Sequence, residues 1–114
     1  LAASLGSFVQ VFSLEKRSEA LGGTDILINT TSLGMSGQEP LHLSLESLPT
    51  DALVVDIIYG PLLTPLLRAA EARGNPFIDG LGMLIHQASK SFEYWHDKKP
   101  KIDNKLRELL LREL

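Results

Sequence analysis

The 114-residue chain contains no cysteine, and this absence excludes disulfide bonds, zinc–thiolate centres and cysteine nucleophiles. No apolar run approaches the roughly 20 residues that a transmembrane helix needs, so the sequence predicts no membrane-spanning helix. Lys and Arg number 11 against 14 Asp and Glu, and the formal net charge of −3 provides no general attraction to nucleic acid or acidic lipid. The hydrophobic fraction of 44% is ordinary for a soluble globular protein.

The N-terminal segment LAASLGSFVQVF lacks the basic residues of a secretory signal peptide, and it also lacks an initiator methionine. We therefore expect the chain to be a piece of a longer protein or a processed product. We also expect a cytoplasmic location, with which the absence of cysteine is compatible.

Short β-rich runs alternate with helical segments, and this alternation predicts an α/β fold built on a parallel sheet. The predicted strands are Phe8–Phe12 and segments 25–31, 52–60 and 76–79. The predicted helical segments are the end of a helix at Leu1–Gly6, a short helix at 13–23, one turn at Ser44–Pro49, and helices at 64–75, 82–97 and 103–114. Pro65 and Gly74 mark the two ends of the helix at 64–75.

The run LVVDII within segment 52–60 is apolar on both faces, which is typical of a strand in a parallel sheet that is covered on both sides. Near Gly80 the short strand–helix units give way to two consecutive helices. We therefore predict a division of the chain near this residue, into segments 1–79 and 80–114.

Polar residues and glycines follow three of the predicted strands, in the segments NTTSLGM, IYGPLLTP and DGLGM. In an open parallel sheet, ligands bind at the carboxyl ends of the strands. Any one of these segments would pass as an ordinary turn, but the three together predict a ligand site at this edge of the sheet.

The three segments also carry a specific ordered pattern. The pattern is Asn-x-Thr ending in Gly-Met, then Asp-x-x-Tyr followed by Thr-Pro-Leu, then Asp-Gly-x-Gly-Met followed by Gln. In this order, and over nearly the whole chain, it resembles the C-terminal half of shikimate dehydrogenase. The resemblance implies a partial Rossmann-like parallel sheet with flanking helices, followed by two C-terminal helices.

The same resemblance implies what each part would do. Segment 1–79 would be the C-terminal part of a Rossmann-like NADP-binding domain, and 80–114 would hold helices that return to the substrate domain. The parent enzyme would be an NADP-dependent oxidoreductase that reduces 3-dehydroshikimate to shikimate in chorismate and aromatic amino acid biosynthesis.

The resemblance implies five cofactor-binding residues. Thr30 and Thr31 would lie at a strand end, and Ile57 would contact the nicotinamide half of NADP. Gly80 would let the backbone approach the nicotinamide, since a side chain there would fill space that the flat ring needs. Met83 would pack beside the same ring.

Two residues would bind the substrate. Tyr59 would point its hydroxyl at the substrate, and Gln87 would hydrogen-bond one of its polar groups through the side-chain amide. Gln87 lies four residues after Met83, so the two share a helix face. Asp79 is expected to cap the helix, and Gly82 to relieve its tight entry.

The sequence contains no G-x-G-x-x-G phosphate loop, and the Lys–Asp pair that handles the proton in the family belongs to a substrate domain outside the matched residues. We therefore assign no catalytic residue and predict that the chain alone is inactive. No metal site is predicted, because the three histidines lack metal-ligand spacing. The expected ligands are NADP and a small-molecule substrate, with no nucleic acid or membrane partner.

Apolar residues form a stripe along the final predicted helix, and in the family this helix returns to cover the substrate domain. The stripe consists of Ile102, Leu106, Leu109, Leu110 and Leu114. Without that domain the stripe needs another partner, so we predict that the isolated chain is a homo-oligomer.

Two alternative functions stay open. The first is a non-catalytic, truncated homologue that acts as an interaction module through its apolar C-terminal face. The second is a dehydrogenase that prefers quinate or amino-shikimate and uses NAD in place of NADP. The residues that decide between the two cofactors are not in this chain.

Overall fold

A three-stranded parallel sheet forms the centre of the computed structural model, which describes Ser4 and residues 6–113. The strands are β1 (Ile26–Asn29), β2 (Leu53–Asp56) and β3 (Phe77–Ile78), in the spatial order β1-β2-β3. Ile28 pairs with Val55, and Val55 pairs with Ile78. The predicted α/β fold with a parallel sheet is thereby confirmed.

One face of the sheet carries the hydrophobic core. Helix α1 (Pro65–Arg73) packs on this face and buries Leu66, Leu67 and Ala70 against Val54. The predicted signals define its ends: the Thr64 hydroxyl accepts from the Leu67 N–H, and Gly74 closes the helix with a φ of 83°. The segment before β2 completes this side of the core with Leu41, Leu43, Leu45 and Leu48.

The described residues cover the opposite face of the sheet less completely than the face that packs against α1. Ile26, Ile28 and Ile78 are 54%, 53% and 51% exposed, although they occupy the positions that pair across the strands. The strands are apolar on both faces, as the sequence predicts, but only one face is buried. We refer to Ile26, Ile28, Leu53, Val55 and Ile78 as the open sheet face.

Two helices follow the sheet. Helix α2 (Gly80–His96) is capped by Asp79, whose carboxylate accepts from the Leu81 N–H at 3.1 Å, as the sequence predicts. Helix α3 (Asn104–Leu111) is capped in the same way by Asp103.

Apolar side chains of α2 and α3 face each other across a cavity of about 220 Å³. Ile102, Leu106 and Leu110 of the predicted apolar stripe therefore share this cavity with α2, with Ile102 still 39% exposed. Leu109 is exposed, and Leu114 lies outside the described residues. The cavity is lined by Ile85, Ala88, Ser89, Phe92, Pro100, Ile102, Leu106 and Leu110. The division of the chain near Gly80 stays a prediction.

The strand predicted at Phe8–Phe12 is wrong. Phe8 ends a short 3₁₀ turn and is 95% exposed, and residues 9–13 have no regular secondary structure. A strand is stable only when its backbone groups pair with a neighbour, and β1 ends the sheet without a further described strand on its outer side. The helix end predicted at Leu1–Gly6 falls mostly outside the described residues.

The helix predicted at 13–23 is also wrong, because this segment forms two separate 3₁₀ turns, Leu14–Lys16 and Glu19–Leu21. Leu21 is buried, whereas the residues around it are exposed or half-buried. A helix this short depends on packing an apolar face, which this segment does not do. At Ser44–Pro49 a turn closed by the Leu48 N–H replaces the predicted helical turn.

No helix in the described part of the chain combines the length and the apolar character needed to cross a membrane.

Candidate functional site

A cleft of about 370 Å³ lies where the chain leaves β1 and β2 and where α2 begins. It is therefore at the carboxyl ends of the parallel strands, the edge at which the sequence predicts a ligand site. Its lining residues are Thr30, Thr31, Ser32, Met35, Ile57, Ile58, Tyr59, Gly60 and Met83.

Five of the seven predicted site residues line this cleft: Thr30, Thr31, Ile57, Tyr59 and Met83. Tyr59 is 40% exposed, so its side chain stands at the rim. None of the lining residues carries a formal charge. The cleft thus has apolar walls interrupted by a few hydroxyl groups.

Gly80 and Gln87 do not line the cleft. Gly80 is buried immediately behind it, and Gln87 is exposed on α2, four residues beyond Met83. Their predicted roles toward the cofactor and the substrate stay predictions.

The structure explains why position 80 is a glycine, and this explanation differs from the one inferred from the sequence. A Cβ at this position would overlap the carbonyl group of Ile57 and lie 2.6 Å from the Ile58 oxygen. The Gly80 N–H also donates to that Ile58 oxygen at 3.2 Å. A side chain is excluded by the backbone of the cleft wall, so the absence of a Cβ does not depend on a bound ring.

Gly82 does not have the role that the sequence suggests. No atom lies within 4 Å of the position that a Cβ would take, and its φ is not in the left-handed region. The helix entry therefore requires glycine at Gly80 but not at Gly82.

A buried polar network joins the two strand ends below the cleft. The Asp56 carboxylate accepts from Asn29 Nδ2 at 3.1 Å, from the Ile58 N–H at 3.0 Å and from Thr64 Oγ1 at 2.7 Å. Asp56 and Thr64 are fully buried, and Asn29 is nearly so. Buried polar groups that are all satisfied fix the backbone around them. The network therefore sets the path of residues 57–59 into the cleft.

Thr31 belongs to this network more than to the cleft surface. Its hydroxyl donates to Asn29 Oδ1 at 2.7 Å and accepts from the Leu33 N–H at 3.1 Å. Because both contacts are internal, Thr31 shapes the turn after β1, and Thr30 is the threonine with the freer side chain at the cleft.

The loop that follows Thr31 carries Met35, a lining residue that the sequence analysis missed. Gly34 turns the chain with a φ of 99° and donates its N–H to the Glu39 oxygen at 2.7 Å. The Ser36 N–H donates to the Gly60 oxygen at 2.8 Å and ties this loop to the one after β2. The Gly-Met pair was visible in the sequence, but this bond between loops was not.

Asn29, Asp56 and Thr64 were also missed as functional positions, although each stands in a segment that the pattern singled out. In the sequence, each of them stands at the end of a predicted strand or the start of a predicted helix, and this position is the signal that could have identified them. Among the described residues, no three His, Asp or Glu side chains are grouped so that they could hold a metal ion.

The family described as "Shikimate 5'-dehydrogenase C-terminal domain" matches residues 80–108. The shikimate dehydrogenase (NADP(+)) of Paramagnetospirillum magneticum is 51% identical over 111 residues, which are 97% of this chain and 40% of that protein. The chain is a relative of the shikimate dehydrogenases and matches their C-terminal portion. It thus spans about 40% of the length of the P. magneticum shikimate dehydrogenase.

Solved structures of related dehydrogenases share the fold. Shikimate 5-dehydrogenase from Listeria monocytogenes, in complex with shikimate and NAD, is 34% identical with a TM-score of 0.75, covering 89% of this chain and 36% of that one. Quinate dehydrogenase from Corynebacterium glutamicum, in complex with NAD, is 32% identical with a TM-score of 0.74, covering 83% of this chain and 33% of that one.

Proposed function

We propose that this chain is the C-terminal portion of an NADP-dependent shikimate dehydrogenase, whose whole protein reduces 3-dehydroshikimate to shikimate. The cleft carries this proposal, because it gathers Thr30, Ile57, Tyr59 and Met83 at the carboxyl ends of two parallel strands. A relative that is 51% identical and named for NADP(+) supports the choice of cofactor.

The residues present fit the nicotinamide end of the cofactor. Ile57, Met35 and Met83 provide apolar surface of the kind that packs on a flat ring, and Thr30 provides a hydroxyl for the carboxamide. When bound, the nicotinamide supplies or accepts the hydride. The protein residues orient the ring and exclude water from its face.

Tyr59 and Gln87 are proposed to hold the substrate. Tyr59 stands at the rim of the cleft with its side chain partly exposed, where its hydroxyl can bond a hydroxyl or carboxylate of the substrate. Gln87 is one helical turn beyond Met83 and offers both an amide donor and a carbonyl acceptor.

The cleft has no residues of the kind that bind the phosphate groups of the cofactor. No Lys or Arg lines the cleft, and the sequence lacks the glycine-rich loop whose N–H groups bind phosphate. We therefore propose that the 114-residue chain alone neither binds NADPH detectably nor catalyses the reaction.

A chimera tests the proposal directly. The part of the P. magneticum shikimate dehydrogenase that precedes its matched segment is joined to Leu1 of this chain, with the intact P. magneticum enzyme as the positive control. We expect the chimera to oxidise shikimate with NADP⁺, and the 114-residue chain to show no activity. A folded chimera that oxidises neither shikimate nor quinate with either cofactor would contradict the proposal.

A second chimera tests whether this chain also supports the second candidate function, since the choice of cofactor is not made by residues of this chain. The similarity to a quinate dehydrogenase in complex with NAD favours quinate oxidation with NAD as the alternative. A chimera built on the N-terminal part of that protein is therefore assayed with quinate and shikimate in parallel. NADPH binding to the 114-residue chain is measured by isothermal titration. Micromolar affinity would contradict the proposal that this chain alone does not bind NADPH detectably.

A further inference from the structure

Arg107 of α3 forms an ion pair with Asp79, the N-cap residue of α2. Its Nη2 contacts Oδ2 of Asp79, while the other oxygen of that carboxylate, Oδ1, caps α2 through the Leu81 N–H. The side chains of Asp79 and Arg107 are 17% and 36% exposed, so this ion pair is partly shielded from solvent. One carboxylate thus serves both helices.

The first turn of α2 is also pressed against the cleft. Gly80 lies against the carbonyls of Ile57 and Ile58, and Met83, one turn further, lines the cleft together with Thr30 and Tyr59. A small displacement of Asp79 would therefore move the Met83 wall.

Beside Arg107, a pocket between α2 and α3 is also lined by His86, Asp103 and Asn104, and further along the two helices share the mainly apolar cavity of about 220 Å³. Apolar contacts around such a space do not fix the position of one helix along another, because they have no direction. A charge-assisted bond from a planar guanidinium has both direction and a defined length. The ion pair of Arg107 with Asp79 therefore gives the contact a direction and can set the position of α2 relative to α3.

We propose that Arg107 is a positioning residue for the cleft, acting through Asp79 to hold the first turn of α2 and, with it, Met83. Its effect on catalysis rests on the proposed function, whereas its effect on Met83 does not. Arg107 itself does not line the cleft.

The chain offers a direct readout of this effect, because it contains only two methionines and both line the cleft. The 114-residue chain is labelled with methyl-¹³C methionine, and Met83→Leu and Met35→Leu assign the two signals. We expect Arg107→Met to shift the Met83 methyl resonance, Arg107→Lys to restore most of its position, and Met35 to stay in place. The matched control is Lys105→Met, which removes an exposed positive charge from the same helix.

A Met83 signal that does not move in a folded Arg107→Met chain would overturn the proposal, as would an equal shift in Lys105→Met. If Arg107→Met abolishes the helical circular dichroism, Asp79→Asn decides instead, because it keeps an oxygen for the cap but removes the charge. An unmoved Met83 signal in folded Asp79→Asn would then overturn the proposal.

Kinetics in the active chimera form a second arm. A misplaced wall beside the reacting ring is expected to lower kcat about tenfold for Arg107→Met, with the KM for shikimate nearly unchanged. Arg107→Lys should recover most of kcat, and Lys105→Met should match the unmodified chimera. Loss of activity in the unmodified chimera would count against the proposed function alone, because the methionine signals report on Arg107 without catalysis.

Discussion

The hydroxyl of Thr64 donates a 2.7 Å hydrogen bond to Oδ2 of Asp56, and it also accepts from the Leu67 N–H at 3.3 Å. One buried hydroxyl therefore joins the N-terminus of α1 to the carboxyl end of β2. This hydrogen bond helps to position the cleft, because the lining residues Ile57 and Tyr59 follow Asp56 by one and three residues.

Thr64→Val is expected to destabilise the chain by about 2–4 kcal/mol, since it removes a helix cap and leaves a buried carboxylate oxygen without its donor. The matched control is Thr50→Val, at an exposed position, which should change the free energy of unfolding by less than about 0.5 kcal/mol. Urea denaturation followed by circular dichroism measures both. Equal midpoints for the two variants would show that the network does not support the fold.

The two glycines of the Asp-Gly-Leu-Gly segment should respond in opposite directions. Gly80→Ala places a methyl group into the carbonyls of Ile57 and Ile58, so it should strongly destabilise or displace α2. Gly82→Ala has open space and should stabilise α2 by up to about 0.5 kcal/mol through helix propensity. Thermal unfolding of the two variants beside the unmodified chain checks the prediction, which fails if their melting temperatures move together.

Tyr59→Phe and Gln87→Ala, each in the active chimera, should lower kcat/KM about tenfold or more. Each removes one hydrogen bond to the substrate, and such a bond is worth on the order of 1–3 kcal/mol in a dehydrated site. Gln38→Ala, at an exposed position outside the lining residues, is the control. Steady-state kinetics with unchanged kcat/KM for both site variants would show that the residue assignment is wrong.

Hydrogen bonds hold the pKa of Asp103 below its ordinary value, the largest contribution coming from the Lys101 side chain and the next from the Leu106 N–H. Because the pKa of Asp103 is lower in the folded than in the unfolded chain, its ionised carboxylate stabilises the fold at pH values above the unfolded pKa. This stabilisation is lost as the pH falls through the folded pKa. Lys101→Met should therefore raise the pKa of Asp103, while Lys99→Met, two residues earlier, should not. NMR titration of the Asp103 carboxyl carbon measures this, and coincident curves for the Lys101→Met and unmodified chains would refute it.

The isolated chain is expected to self-associate, because the open sheet face exposes apolar side chains and the outer edge of β1 pairs with no further strand among the described residues. Ile26→Lys combined with Ile28→Glu should shift the chain toward monomer. Leu109→Glu is the control, at an exposed leucine on α3. Sedimentation equilibrium at several concentrations tests this. A monomeric unmodified chain at high micromolar concentration, or dissociation by Leu109→Glu alone, would contradict the choice of surface.

The local signals in the sequence were sufficient where a segment carries its own boundaries. Thr64, Pro65 and Gly74 define α1, and Asp79 defines the start of α2, because caps and helix breakers act over a few residues. The strands β1 and β2 could likewise be predicted from their apolar runs. The strand ends then placed five of the seven site residues in one cleft.

The failures occurred where structure depends on a partner. Phe8–Phe12 has the composition of a strand, but strand formation requires a paired neighbour that composition does not reveal. Gly80 was expected to leave room for the nicotinamide ring, whereas the atoms that exclude a side chain there belong to Ile57 and Ile58, more than 20 residues away in sequence. Contacts of this kind, like the one between Arg107 and Asp79, leave no periodic signal.

The contact of Gly80 with the backbone of Ile57 and Ile58 limits how the cleft can adapt. Because no side chain separates α2 from the segment after β2, these two walls meet backbone to backbone and cannot approach each other further. The backbones on this side of the cleft therefore have a fixed minimum separation, whatever molecule enters. Adjustment to ligands of different shape therefore falls to the flexible side chains of Met35, Tyr59 and Met83.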